Sequence, residues 1–257
     1  DDPRSSAESD AILDQLIGAL TERVDPSGTK EVTIRKYGAG QIEIIIPKAK
    51  PEDLEFIERR IYTAGSLEFR ITASPAFIRH RPIIERAKAL PPGVSELRDG
   101  DNKIAEWVEY SVDQFGPVDV DDDRIVKRLA GSQPQALVLT DDGLDVTGDD
   151  LEDSRSGFGQ QGTPEVQFRF NTRGAFKFGQ LTGNHLPNPS GLKYQLGIML
   201  DKKLLSAPSI NSRITSQGII EGIPSKEEVD FLVGILNAGS LPASLNKEPI
   251  FRETISP

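Results

Sequence analysis

Between Glu31 and Ile71 the chain reads EVTIRKYGAGQIEIIIPKAKPEDLEFIERRIYTAGSLEFRI. Val32-Thr-Ile34-Arg and Gln41-Ile-Glu-Ile-Ile-Ile46 are rich in β-branched residues and read as two strands, and Gly38-Ala39-Gly40 suits the hairpin between them. Pro51 fits the first turn of a helix, Leu54, Ile57 and Ile61 give it an apolar stripe, and Gly65 stops it. Leu67-Glu-Phe69-Arg-Ile71 alternates, which predicts a third strand. Upstream, Ile12, Leu13, Leu16, Ile17, Leu20 and Val24 recur at helical spacing behind Ser9 or Asp10 as N-cap, and Asp25-Pro26-Ser27-Gly28 ends that helix. Helix, strand, strand, helix, strand is most of an α+β sandwich, a small antiparallel sheet with helices on one face. No local run supplies a fourth strand; Pro249-Ile-Phe-Arg-Glu-Thr-Ile255 at the far end does. The pattern therefore predicts an α+β chain of two subdomains. Residues 1–10 form a polar tail or linker, 11–74 and 243–257 form a discontinuous subdomain, and 75–242 are inserted into it.

Within the insert, Ile83, Ile84, Ala87 and Leu90 lie at helical spacing before Pro91-Pro92-Gly93, and strands are expected at 105–112 and 136–139. Thr147-Gly-Asp-Asp-Leu151 reads as a capped short helix with acids in its first turn. Residues 153–163 (DSRSGFGQQGT) read as a loop. Val166–Phe170 alternates as a strand, and Asn171 or Thr172 caps a helix carrying Ala175, Phe178 and Leu181. Tyr194–Leu200 and Leu204–Ile210 form a hairpin about Asp201-Lys202. Gly218–Gly222 is a short strand, and Ser225-Lys-Glu-Glu228 is a capping box that opens a last helix.

Composition narrows function. The chain has 257 residues, 37% apolar and 27% charged, values of a folded chain with a core. Thirty Lys and Arg against forty Asp and Glu give a formal charge of −10, which opposes binding to nucleic acid or to an anionic membrane face. There is no cysteine, which removes disulfides, thiolate nucleophiles and cysteine metal sites, and the two histidines, His80 and His185, are too few for a multi-His zinc centre. No apolar run is long enough to span a bilayer. A start at Asp1, without an initiator Met, is expected of an excised piece or a processed product.

Each motif that resembles a reactive site has a simpler explanation. Gly157-Phe-Gly159-Gln-Gln-Gly162 has dinucleotide-loop spacing but is followed by Thr163-Pro164 and a strand, not by a helix, so a loop is expected. Asp119-Val-Asp121-Asp-Asp123 opens like a calcium loop, but Arg124 and Ala130 stand where Gly and Glu are needed; an acidic turn is expected. Ser190-Gly-Leu-Lys193 lacks the companion motifs of a serine acyltransferase. Asp149, Asp150, Glu152 and Asp153 offer paired carboxylates, yet acids at a helix start need no catalytic reason. Arg79-His80-Arg81 reads as a surface turn, and His185 as a solvent-facing loop residue. No catalytic set, cofactor site or metal site is expected.

Several segments resemble SecD, the accessory membrane subunit of the bacterial Sec protein-export machinery. They are Arg23-Val-Asp-Pro-Ser-Gly28, Glu31-Val-Thr-Ile34, Gln41-Ile-Glu-Ile, Leu67-Glu-Phe69-Arg70, Thr147-Gly-Asp-Asp-Leu151, Asn171-Thr-Arg-Gly174-Ala175, Leu200-Asp201-Lys-Lys203 with Ser206-Ala207-Pro208-Ser-Ile210-Asn211, and Asn237-Ala238-Gly239-Ser-Leu241-Pro242. The resemblance runs from about residue 12 to the end and is carried by the order and spacing of these motifs. It departs at Asp201-Lys202-Lys203, where the family has Asp-Gly-Lys. It implies the first large periplasmic domain of an inner-membrane protein, with a ferredoxin-like base, an inserted head, and flanking membrane helices outside this chain. It further implies a non-enzymatic role: binding unfolded preprotein and assisting translocation, coupled in the whole protein to the proton-motive force, with SecF and the SecYEG channel as partners. The alternatives are a structural domain docking on the channel or a partner subunit, or a hydrolase using the acidic residues. Ser74 and Pro75, with Leu241 and Pro242, are the expected hinge crossings between base and head. Phe115 and Phe158, in Gly-containing loops, are the expected preprotein contacts unless they fill the core.

Overall fold

In the computed structural model, residues 3–25, 32–38, 40–47, 51–118, 122–140, 143–243, 245, 246, 248–251 and 253 are described. The chain divides into a smaller unit of residues 1–65 and 237–257 and a larger one of residues 66–236.

The smaller unit holds α1 (Pro3–Val24), β1 (Thr33–Lys36), β2 (Ile42–Ile45) and α2 (Pro51–Tyr62). The two strands pair antiparallel from Thr33 opposite Ile45 to Lys36 opposite Ile42, and positive-φ Gly38 and Gly40 make the turn. Leu16, Leu20 and Val24 on one face of α1 meet Ile57 and Ile61 of α2, with Val32, Ile34, Ile42, Ile44, Leu241 and Leu245 packed around them. The apolar spacing read from the sequence is therefore the spacing of this core.

Three expectations are corrected here. Residues 3–10, expected as a tail, are the first turns of α1; local helix formers such as Ala7 and Glu8 suffice to extend a helix whose later turns are packed. The strand at Leu67 forms, but it belongs to the sheet of the larger unit. The closing strand does not form where it is described: Pro249, Ile250, Phe251 and Glu253 are outside any strand, with Ile250 79% and Phe251 75% exposed, and Arg252, Thr254 and Ile255 lie outside the described residues. Of a ferredoxin-like pattern, the described residues of this unit supply two helices and two strands.

The larger unit contains β3 (Leu67–Thr72), a 3-10 turn (Ile78–His80), α3 (Arg81–Lys88), β4 (Glu96–Asp99), β5 (Asn102–Tyr110), the one-turn α4 (Val112–Phe115), β6 (Lys127–Ala130) and β7 (Gln133–Leu139). Next come β8 (Val146–Thr147), a second 3-10 turn (Gly148–Asp150), β9 (Leu151–Phe158), β10 (Pro164–Phe170) and α5 (Thr172–Gly183). The unit ends with β11 (Leu196–Leu200), β12 (Lys203–Ser206), β13 (Gln217–Ile220) and α6 (Lys226–Ala238), whose last residues count with the smaller unit. The large sheet runs β4-β5-β12-β11-β3-β7-β6 with β8 beside β3, and an added β5–β7 pairing closes β5, β12, β11, β3 and β7 into a ring. Only β12 and β5 among these pairs run parallel.

The sheet is apolar on both faces, which is why β7 reads as a continuous run (Ala136-Leu137-Val138-Leu139) without polar alternation. Phe69, Ile71, Trp107, Leu137 and Ile198 face the main core; Val108, Ala136, Val138, Met199 and Leu204 form a second cluster with Ile125 and Tyr110. The main core carries an aromatic knot. The Phe69 ring lies 5.4, 5.6 and 5.3 Å from those of Phe168, Phe170 and Phe178, bringing β3, β10 and α5 together.

Candidate functional site

Beside the large sheet stands a three-stranded antiparallel sheet, β13-β10-β9, and its surface is the candidate site. On β10, Val166, Phe168 and Phe170 point into the core, so Glu165, Gln167 and Arg169 take the opposite face. Register then builds rows across that face: Arg155–Gln167–Ile219 and Asp153–Arg169–Gln217. Arg155 Nε donates to Gln167 Oε1 at 3.2 Å, Gln167 Nε2 to Glu165 Oε1 at 2.9 Å, and Arg169 pairs with Asp153 and Glu152 at 3.1 Å each. Asp153, Arg155, Gln167, Arg169, Gln217 and Ile219 line a shallow open groove of about 370 Å³. Among the described residues β9 and β13 each pair only with β10, so the sheet has two edges. The β9 edge ends at Phe158, 62% exposed.

This strand was missed at the sequence level, because residues 153–158 show no apolar alternation. The reason is its position. Ser154 is its one fully buried residue, on the face toward the core, Leu151 at its start packs against that core, and most of the rest is exposed. The glycine motif is the end of this strand and its turn. A Cβ on Gly157 would stand 2.5 Å from the Gln167 side chain, and Gly159 N–H donates to Thr163 O at 2.8 Å to close the hairpin around Gly162 at φ +73°. A strand, β10, follows it instead of the helix N-terminus that a dinucleotide loop uses.

Of the expected contacts, Phe158 is exposed at the end of β9, paired with Pro164 and so on the face opposite the groove rows, while Phe115 is half-buried, its ring at 5.9 Å edge-on to Tyr110 and its carbonyl accepting from Lys127 Nζ. Ser74 and Pro75, expected at a crossing, lie inside the larger unit. Ala73 exchanges backbone bonds with Leu137 and Val126, Ser74 Oγ donates to Asp123 O, and Ser74 N–H donates to His80 Nδ1 at 3.1 Å. Leu241 and Pro242 lie in the smaller unit, where Leu241 N–H donates to Ala64 O at 2.8 Å.

The acidic candidates have structural partners. Asp150 is fully buried; Thr147 N–H and Lys177 Nζ donate to its Oδ2 at 3.1 Å, and Arg173 Nε to its Oδ1 at 2.8 Å. Burial disfavours the charged form, but these donors outweigh it and hold the carboxyl below the usual range. Gly174 is required at this joint, since a Cβ there would lie 2.2 Å from Asp150 O. Thr147-Gly-Asp-Asp-Leu151 and Asn171-Thr-Arg-Gly174 are thus two halves of one packing element. Asp119, Val120 and Asp121 lie outside the described residues; Asp122 binds Arg124 and Lys127. Ser190 sits in a turn closed by Asn188, with Gly191 at φ +81°. Both histidines are buried rather than at the surface, flanking Tyr194 at 5.7 and 5.0 Å between ring centroids. Among the described residues no cluster of acids or histidines could hold a metal.

At Asp201-Lys202 both residues adopt positive φ, 51° and 62°. Other contacts hold this strained two-residue turn. Asp201 Oδ1 accepts from Ser66 N–H at 2.8 Å, and Lys202 Nζ donates to the buried Glu106 at 2.7 Å.

Residues 123–243 match the family model of the SecDF P1 head subdomain. The protein translocase subunit SecD of Elusimicrobium minutum is 32% identical over 258 positions, covering 100% of this chain and 49% of that protein. The chain belongs to the SecD family. The SecD of Rhodobacter capsulatus is 30% identical over 93% of the chain and 35% of its own length, so the chain spans about half, or less, of the relatives it matches. A solved structure described as a membrane component SecDF that enhances protein export superposes with TM-score 0.62 at 24% identity, covering 95% of this chain and 94% of that one. That likeness supports the same α+β fold. The match places the three-stranded sheet within the P1 head. The relatives are named as protein translocase subunits, and no described helix of this chain is long and apolar enough to cross a membrane.

Proposed function

We propose that this chain is the periplasmic, non-enzymatic part of an inner-membrane SecD subunit and that it holds an extended segment of unfolded preprotein. The match to SecD along the whole chain carries the reading. In the complete protein, flanking helices anchor it, SecF and the SecYEG channel are its partners, and the proton-motive force drives its cycle. An unfolded segment offers backbone donors, acceptors and scattered apolar side chains. The β9 edge answers the first by strand addition, and the exposed Phe158 at the end of that edge strand answers the second. The mixed rows Asp153–Arg169 and Glu165–Gln167–Arg155 select no one charge, as a carrier of many sequences requires. Transfer of captured chain needs the larger unit to move with respect to the smaller. Its joints are then Gly65 and Gly239, near the two places where the chain passes between units, instead of Ser74 and Pro75.

The test is binding of a reduced, carboxymethylated polypeptide, followed by fluorescence anisotropy. Phe158→Asp should weaken it about tenfold, roughly 1.4 kcal/mol, with an unchanged melting temperature. Equal binding by Phe158→Asp would remove this surface from the reading.

A further inference from the structure

The hairpin of β9 and β10 fixes which main-chain groups of β9 face outward. Gly159 N–H donates to Thr163 O, Asn171 N–H to Asp150 O, and Phe170 N–H to Ser216 O, just before β13. Odd-numbered residues of β10 therefore bond toward β9 and even-numbered ones toward β13. Across the register, Gly157 opposite Glu165 and Arg155 opposite Gln167 are the bonded pairs, and Ser156 opposite Val166 and Phe158 opposite Pro164 are the unbonded ones. Pro164, which has no N–H, takes one of the unbonded places. The N–H and C=O of Ser156 and Phe158 thus point away from β10, at the free edge. Both residues are exposed, and among the described residues no main-chain bond reaches them from another segment.

This edge lacks the usual guards. β9 is 8 residues long, against 4 each for β4 and β6 at the ends of the large sheet and for β13 at the other end of this one. Native edges are kept from pairing by shortness, bulges, lysine or proline. From Asp153 to Phe158 there is neither lysine nor proline, and the register shift lies at the far end, opposite Arg169 and Phe170. Gly157 keeps the groove side of the edge flat. A Cβ there would stand 2.5 Å from Gln167 Nε2; without one, the Gln167 amide lies across β9 and donates to the buried Glu165. Phe158 is the one exposed large apolar residue of β9, too little for a stable pair of copies, which buries about 1,200 Å² or more. We infer that this edge recognises the main chain of an extended stretch of unfolded polypeptide through Ser156 and Phe158, whose paired donors and acceptors sit two residues apart, the repeat of any extended chain. Side chains contribute little, so the segments held are defined by what they lack, proline and ordered secondary structure, and not by a sequence. The occupant rests on the proposed function; the atoms that hold it and the segments that escape it are the addition.

Fluorescein-labelled nonapeptides of alternating serine and valine, read by anisotropy with the folded chain, provide the test. One peptide carries its N-methyl groups on alternate residues, which leaves one of its edges intact. Another carries the same number on consecutive central residues, which blocks both edges. The first should bind within about twofold of the unmethylated peptide and the second about tenfold more weakly, through the loss of its hydrogen bonds. In the chain, Ser156→Pro removes an outward N–H without touching the ladder to β10, and should weaken the unmethylated peptide about fivefold. The peptide comparison needs no variant, so it decides even where Ser156→Pro fails to fold. Equal binding of the two methylated peptides would overturn the inference; if Phe158→Asp still weakened binding of carboxymethylated polypeptide, the proposed function would stand without it. Failure to bind either the unmethylated peptide or that polypeptide would overturn both. A chain that elutes as a dimer, and as a monomer with Ser156→Pro, would overturn the choice of occupant in favour of a second copy.

Discussion

The buried His80 should make this domain lose stability in mild acid. Its ring is 2% exposed, Nδ1 accepts from Ser74 N–H, and Phe77 and Tyr194 lie against it. Burial, then the nearby Arg79 and His185, lower its pKa from the ordinary 6.5 to about 4. The folded state therefore binds this proton less readily than the unfolded chain. The stability contributed by the neutral ring is fully present above about pH 6.5 and is lost progressively as pH falls toward 4. The shift corresponds to roughly 3 kcal/mol, or about 2 if some water reaches the protonated ring. Protonation also removes the lone pair that accepts the Ser74 N–H, so the segment following β3 should loosen first. His80→Asn keeps an acceptor near that position and does not titrate. In urea melts at pH 7 and pH 4.5, the parent should lose more stability than His80→Asn, by about 2 kcal/mol. Carboxylates that titrate in both proteins cancel in the comparison. An equal pH loss in the two would show that His80 does not titrate in this range.

Asp150→Ala should cost about 3 kcal/mol by leaving Arg173 and Lys177 without their buried partner, while the exposed Asp149→Ala should stay within about 0.5 kcal/mol, both read from thermal melts. Gly174→Ala should destabilise by about 2 kcal/mol or more through overlap with Asp150 O, seen as a lower urea midpoint. Lys202→Gly should be nearly neutral, since about 1 kcal/mol of relieved backbone strain offsets the lost pairing with Glu106; Lys202→Ala keeps the strain, loses the pairing, and should be the less stable of the two by denaturant titration.

Elements with a packed face were legible. Leu16, Leu20 and Val24, the alternation of Val166, Phe168 and Phe170, and the caps at Asn171 and Ser225 all report burial or an unsatisfied helix end, which composition must answer locally. What the pattern could not report was partnership. Leu67–Ile71 reads as a strand equally well in either unit, and only the pairing with β11 and β7 places it in the larger one. β9 escaped because an edge strand with one buried serine has no periodic signature. For the same reason the candidate surface was only partly visible: Phe158 stood out as an aromatic among glycines, but Arg155, Gln167 and Ile219 became a row only through register. The bonds that the buried Arg23 gives to main-chain carbonyls, as far along the chain as Gly239, leave no pattern in the sequence.

The central claim is that the three-stranded sheet of the head holds the exported chain. It is tested most directly by placing a photoreactive phenylalanine analogue at position 158, at 155, or at 88 on α3 in the complete membrane protein, and irradiating vesicles that contain an arrested export intermediate. Adducts should form from 158 and 155 only with the arrested chain, and few from 88. Adducts from 88 as strong as those from 158, or none from 158 and 155 while export proceeds normally, would contradict it.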